Sequence, residues 1–276
     1  MSGSRQDLGA RNRVFSEKPG FFLPIILLTN DDGINAPGLD ALRQAIAPLG
    51  RVIVFAPDHN WSAAGHTKTM HKPLRVSHAP LQDGTEAYTT TGAPSDCVAL
   101  ALLGILPQRP DLVVSGINQG PNLGHDVTYS GTVAGAMEAV ISGLPAVAVS
   151  LDSYESHDFS LVAQVAARVI GQVLRRGLPP GVFLNVNAPC LPPGSEVNGI
   201  AITRMGRRVY RDVLIERQDP RGRPYYWIGG DVPGGHLDEG TDIWAVANGY
   251  VSVTPMRLDL TANELMPELQ KWEFRP

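Results

Sequence analysis

Cysteine is almost missing from this chain: two residues in 276, Cys97 and Cys190. They are far apart and lack the short spacing of a zinc or redox motif. A disulfide framework is therefore excluded, and both are expected to be buried, reduced thiols. Long apolar runs are also missing. No stretch approaches the roughly 20 residues needed to cross a bilayer, and the N-terminus has no continuous apolar core of the secretory kind. Charge of one sign is lacking too, with 23 Lys and Arg against 27 Asp and Glu and a net charge of -4. That balance excludes a general nucleic-acid binder, so no nucleic-acid polymer is expected as a partner. Arginines gather between residues 204 and 223, but acidic residues interrupt them, which favours solvated arms over a phosphate-binding patch. The first 20 residues are polar, rich in Arg, Ser and Gly, and aperiodic. Residues 1–22 are therefore expected to be a disordered extension or to follow an upstream start. Asp7 and Glu17 argue against a transit peptide, and a cytoplasmic location is the expectation.

What is present is alternation. Apolar strand-like runs at residues 25–29, 52–56, 112–115, 146–150 and 182–186 are separated by helical patterns at 38–49, 94–106, 131–142 and 159–176. The last helix is the clearest, with Leu161, Val165, Val169 and Val173 recurring beside Val162, Ala166, Ile170 and Leu174. Such βαβα order implies an α/β fold with a doubly wound, mostly parallel, Rossmann-like sheet and helices on both faces. Beyond residue 187 the pattern changes. Residues 209–216 and 224–228 read as two strands joined at the Asp219-Pro220-Arg221-Gly222 turn, a long β-hairpin arm projecting from the core. Residues 241–259 return to strand-like composition. One α/β domain is expected over residues 23–276, with 205–276 forming the arm and the C-terminal region. No internal repeat is present.

In an open parallel sheet, ligands bind beyond the carboxyl ends of the strands. The first strand is followed by Asp31-Asp32-Gly33, the second by a loop carrying Ser62, and the third by Asn118. All are oxygen donors, which favour Mg²⁺, Mn²⁺ or Ca²⁺ over zinc. Asp-Asp-Gly alone reads equally as a turn with an Asx cap. Two adjacent carboxylates without a basic neighbour would repel each other unless a cation joined them, and their place after a buried strand favours a metal seat. A second element, Tyr129-Ser130-Gly131-Thr132, precedes a helix of small residues. It reads as an ordinary N-cap or, beside a hard metal, as a phosphate site built from free N–H groups and the helix dipole.

The motifs around these residues resemble those of the SurE family, the stationary-phase survival proteins known as metal-dependent 5′/3′-nucleotidases. Ile26-Leu-Leu-Thr-Asn-Asp-Asp-Gly-Ile-Asn-Ala-Pro-Gly38 is similar to the family's opening motif. Ala56-Pro57-Asp58 with Ser62, then Thr91-Gly-Ala-Pro-Ser-Asp-Cys97, resemble the second and third. Ser115-Gly-Ile-Asn-Gln-Gly-Pro-Asn-Leu-Gly124 and Tyr129-Ser-Gly-Thr-Val133 resemble the longest. Thr241-Asp242-Ile243, Gly249-Tyr-Val-Ser-Val-Thr-Pro255 and Asp259-Leu-Thr261 match in turn. The resemblance implies one divalent metal ion, Mg²⁺ or Mn²⁺, held by Asp31, Asp32, Ser62 and Asn118. It also implies homodimers or homotetramers that exchange C-terminal regions through the hairpin arm. One departure stands out: the family usually has Ser-Gly where this chain has Ser62-Ala63, which leaves the ligand intact but questions the loop's conformation.

The expected reaction is hydrolysis of nucleoside 5′- and 3′-monophosphates by metal-assisted water attack. Asp31 would orient or deprotonate the water and Asp32 would remain on the metal. Ser130, Gly131, Thr132 and Asn118 would hold the phosphate. His66, His125 and His236 are read as exposed loop residues rather than acid–base groups. Trp61 and Tyr129 are read equally as base-stacking or packing residues. A receiver-like, non-catalytic phosphate-binding module would need a third carboxylate after the third strand and a Lys after a later one, and neither is present. A dinucleotide-binding oxidoreductase would need G-x-G-x-x-G after the first strand.

Overall fold

The structure is a computed structural model describing residues 23–192, 195–231 and 233–274; the extension expected at residues 1–22 lies outside them. Its strands are β1 (Ile25–Thr29), β2 (Arg51–Pro57), β3 (Val76–Pro80), β4 (Glu86–Thr90), β5 (Leu112–Gln119), β6 (Ala146–Asp152), β7 (Val182–Pro189), β8 (Gly199–Ile202), β9 (Arg208–Val209), β10 (Asp212–Gln218), β11 (Pro224–Gly230), β12 (Gly234–Gly235) and β13 (Tyr250–Arg257). Its helices are α1 (Pro37–Ile46), α2 (Pro94–Leu100), α3 (Gly131–Ile141), α4 (Ser160–Arg176), α5 (Asp242–Ala247) and α6 (Met266–Leu269).

Nine strands form one sheet in the order β3-β4-β2-β1-β5-β6-β7-β13-β8. All neighbours are parallel except β3 with β4 and β7 with β13. From β1 the chain winds outward to β2 and β4 on one side and to β5, β6 and β7 on the other. The direction of winding reverses between β1 and β5. Every β1 side chain is buried, as a strand covered on both faces requires. Ile26 and Leu28 pack with Leu39 and Leu42 of α1 and Ile170 of α4. Leu27, pointing the other way, packs with Val98 of α2 and Val133 of α3. Each such residue stabilises the fold by about 1.5–3 kcal/mol through burial.

The expected architecture holds, with local differences. Helix α1 ends at Ile46 and tightens into a 3-10 turn (Ala47–Leu49), because Pro48 has no N–H to continue an α-helix. Helix α2 widens into a π-type turn (Ala101–Ile105) and leaves it at Leu106 with an extended backbone, as a residue before proline prefers. Strand β5 continues past Ser115 to Gln119, with a register shift between Ser115 and Asn118. Residues 241–259 are not strand throughout. Thr241 caps α5, its hydroxyl accepting from Trp244 N–H, and only β13 is extended. Strands β3, β4 and β8 were not expected. Of the two thiols, Cys97 is buried as expected but Cys190 is exposed. Strands β10 and β11 form the projecting hairpin. Among the described residues no helix is long and apolar enough to cross a membrane.

Candidate active site

The reversal between β1 and β5 opens a crevice at their carboxyl ends, the usual ligand position in such sheets. Asp31 and Asp32 leave β1 into it, and Asn118 lies at the end of β5. Ser62 arrives on the loop after β2. A hollow of about 440 Å³ is lined there by Asp31, Ser62, Asn118, Ser130, Tyr129 and Tyr154, among others. Asp32 does not line it. A second hollow of about 460 Å³ lies among Pro24, Leu49, Pro145 and Leu174, far from these side chains in the fold. Its walls are mostly apolar, so the chemistry belongs to the crevice.

Asp31 is 3% exposed. Its carboxylate accepts a hydrogen bond from the Thr132 hydroxyl. Helix α3 begins directly over it: a Cβ on Gly131 would lie 2.7 Å from the Asp31 Cβ and 2.9 Å from Oδ2. Only glycine permits so close an approach, and it aims the helix's N-terminal positive pole at the carboxylate. Burial pushes the Asp31 carboxyl from its ordinary 3.8 up to about 6, against the Thr132 hydrogen bond and with the help of the Asp32 charge. Burial also raises Asp32, opposed by the Gln119 N–H. That N–H and Asn60 Nδ2 both donate to Asp32 at 3.3 Å.

The Thr132 side chain is fully buried and its hydroxyl serves Asp31. Ser130 is an ordinary N-cap, accepting from Val133 N–H at 3.1 Å, and also lines the hollow. Asn118 donates from Nδ2 to the Gly120 carbonyl at 2.8 Å, which leaves its carbonyl oxygen as the free end.

The loop carrying Ser62 is fastened at several points. Trp61 N–H donates to the Asp31 carbonyl at 2.7 Å, and Gly65 N–H to the Tyr129 carbonyl at 2.9 Å. Thr69 donates twice to the buried Asp96. Glu138, buried on α3, receives Lys68 Nζ at 3.0 Å and pairs with His66 Nε2 at 3.2 Å. The His66 pairing, joined by Lys68, holds the Glu138 carboxyl below its ordinary range against the cost of burial. His66, His125 and His236 are exposed as expected, and His66 is in addition a structural partner of α3 through Glu138. Sequence reasoning missed Glu138, and its signal was plain: one carboxylate inside a helix otherwise made of small and apolar residues. Ala63, beside Ser62, takes a positive φ of 58°.

Among the described residues no three His, Cys, Asp or Glu side chains converge as a metal cluster. Any cation in the crevice must therefore be held by two carboxylates and neutral oxygens. Among the described residues, too, neither Asp31 nor Asp32 pairs with a basic side chain. One buried and one half-buried carboxyl, both pushed up and lacking a cationic partner, fit a hard divalent ion with oxygen ligands.

The family model described as "Survival protein SurE" matches residues 26–212. The chain is 52% identical over 251 residues to the 5′-nucleotidase SurE of Chloroflexus aggregans, covering 90% of this chain and 99% of that one. It is 47% identical over 256 residues to the 5′-nucleotidase SurE of Aquifex aeolicus, covering 92% and 100%. The crystal structure of the SurE protein from Aquifex aeolicus superimposes with a TM-score of 0.78, covering 90% of this chain and 98% of that one. These matches favour an enzyme over a non-catalytic, receiver-like module.

Proposed function

The chain belongs to the SurE family, and from that premise we propose that it hydrolyses nucleoside 5′- and 3′-monophosphates to nucleoside and phosphate. The observation that carries this reading is the Asp31–Asp32 pair at the switch-point crevice, without a cationic partner among the described residues: Asp31 is buried beneath a helix N-terminus and Asp32 is half-buried beside it. Asp31, Asp32, Ser62 and Asn118 would hold one divalent ion, Mg²⁺ or Mn²⁺, per subunit. When bound, that ion supplies Lewis-acid stabilisation of the charge developing on the phosphoryl oxygens.

The chain's own residues do the rest. Ser130 and the first N–H groups of α3, at Gly131 and Thr132, together with Asn118, hold the phosphoryl group in place. Asp31 orients the attacking water and takes its proton. A carboxyl pushed up to about 6 is a better base than an ordinary one, and the Thr132 hydroxyl fixes its orientation. The water oxygen bonds to phosphorus as the bond to the nucleoside oxygen breaks, and the departing oxygen takes a proton from solvent. Asp32, braced by Asn60 and Gln119, keeps its place at the cation seat.

We also place self-association, as a dimer or tetramer, on the β10–β11 hairpin and the C-terminal region. The catalytic test is phosphate release from 5′- and 3′-AMP with Mn²⁺, with Mg²⁺ and with chelator. Turnover with metal, its loss with chelator, and loss of at least a hundredfold in Asp31→Asn and Asn118→Ala are expected. Full metal-dependent activity in either variant would overturn the site. A trapped aspartyl-phosphate would replace the water mechanism with a covalent one.

A further inference from the structure

The crevice has two kinds of wall. Asp31, Ser62, Asn118 and Ser130 make the polar one, and the rings of Tyr129 and Tyr154 line the same hollow. Tyr129 is 61% exposed and Tyr154 59%. Two large aromatic rings open to solvent beside a charged site require an explanation that core packing does not supply.

Neither ring hangs free of the fold. Tyr154 lies against Gly120, where a Cβ would come within 2.5 Å of the ring. Gly120 has φ +122°, so glycine provides both the space and the backbone conformation. Gln119 Nε2 donates to the Tyr154 and Ser156 carbonyls, both at 3.1 Å. The backbone N–H of the same Gln119 donates to Asp32. Tyr154 is thus tied, through one residue, to the acidic pair. Tyr129 directly precedes Ser130. Its N–H donates to the Asp126 carbonyl at 3.0 Å, and its carbonyl accepts from Gly65 on the Ser62 loop. Both tyrosines are pre-positioned by the segments that hold the reacting end of the site.

On the nucleotidase reading above, we propose that Tyr129 and Tyr154 form the nucleobase subsite, holding the base by stacking while its phosphate occupies the polar wall. Stacking has a consequence for selectivity. Every base offers a π-face, so aromatic walls bind bases without reading their edges. The amides that line the hollow, Asn118, Gln119 and Asn122, all have their donor groups committed within the fold: Asn118 to the Gly120 carbonyl, Gln119 to the two carbonyls of the Tyr154 segment, and Asn122 to the Ser150 hydroxyl. The subsite therefore distinguishes a nucleotide from a sugar phosphate, but one base from another only weakly.

The test is phosphate release, with Mn²⁺, from AMP, GMP, CMP, UMP and ribose 5-phosphate. The proteins compared are the wild type, Tyr129→Ala, Tyr154→Ala, Tyr129→Phe and Tyr154→Phe. In each Ala variant the ratio of kcat/KM for nucleotide over ribose 5-phosphate is expected to fall roughly ten- to hundredfold for all the bases. Each Phe variant is expected to keep the wild-type ratio. An unchanged ratio in the Ala variants, or equal loss on both substrates, overturns the proposal. If the wild type releases phosphate from none of these, the nucleotidase reading fails instead. Calorimetric affinities for AMP and ribose 5-phosphate then judge the tyrosines by the same ratio.

Discussion

Ala63 is the only non-glycine residue with positive φ among the described residues, and it stands where the family pattern has glycine. A left-handed conformation costs an L-residue about 1–2 kcal/mol. Ala63→Gly should relieve that cost but add backbone freedom to the unfolded chain, so a net gain of about 0.5–1 kcal/mol is expected. A thermal melt should rise by roughly 1–4 °C, with phosphate release unchanged. The carboxyl of Asp31 leads to a prediction of opposite character. Its folded value, about 6, lies above the ordinary 3.8, so ionising it opposes folding. That opposition is absent below pH 3.8 and complete above pH 6. In metal-free protein it should cost on the order of 2–3 kcal/mol across that window. Asp31→Asn should therefore gain stability over the wild type as pH rises from 4 to 7 in chelator, read by urea unfolding; parallel pH profiles would sink the idea. Adding a divalent ion should close the gap, because a bound cation reverses the local preference for the neutral carboxyl. At this scale the oxygen donors were legible in the sequence because they follow strands whose ends must converge. The Thr132–Asp31 bond was not, because a helix-cap motif looks the same whether it meets solvent or a carboxylate.

Among the elements, α3 does two jobs. Its first turn covers Asp31, and Glu138, two turns on, clasps the loop that carries Ser62. Glu138→Gln should leave the helix in place but weaken the clasp. Partners one step removed from a metal's ligands typically change its affinity by 10–100-fold. A rise of about tenfold in the Mn²⁺ concentration for half-maximal activity is expected, with far-ultraviolet circular dichroism unchanged. Lys68→Met should do less, since the Lys68 side chain is 51% exposed and such pairs are worth about 0–1 kcal/mol. If Glu138→Gln lowered the melting temperature without moving the metal requirement, the clasp would be structural only. The central parallel strands were legible because burial on both faces leaves continuous apolar runs such as Ile25 to Leu28. Strands β3 and β4 were not. They are an edge pair with largely polar, half-exposed sequences, Val-Ser-His-Ala-Pro and Glu-Ala-Tyr-Thr-Thr. What makes them strands is pairing with β2 and with each other, which no local pattern records. Helix α5 was hidden for a related reason: its six residues are too few to display a helical period.

For the molecule as a whole, the β10–β11 hairpin is the part a single chain leaves unsatisfied. Its register places Ile215 opposite Trp227 on one face and Leu214 opposite Ile228 on the other. Leu214 is 68% exposed, Trp227 62% and Ile228 82%. A two-stranded ribbon is marginal in water by itself, and one that is apolar on both faces needs cover on both. The described part of the chain offers none, since β10 and β11 form a sheet of their own. The C-terminal segment shows the same condition, with Leu260 93% and Phe274 72% exposed. A closed, self-complementary assembly satisfies such an arm without leaving a growing end, which is why a second copy of this chain is the partner we propose. Sedimentation velocity should show a species larger than a monomer at micromolar concentration. Replacing Leu214 with Lys and Ile228 with Glu puts an opposite-charge pair on one face of the ribbon. The hairpin can then still form, but burying that face against another subunit becomes costly. The double variant should sediment as a monomer, with the circular dichroism of the α/β core retained. A wild-type chain that is already monomeric, or a double variant that associates as before, would remove the arm from the interface.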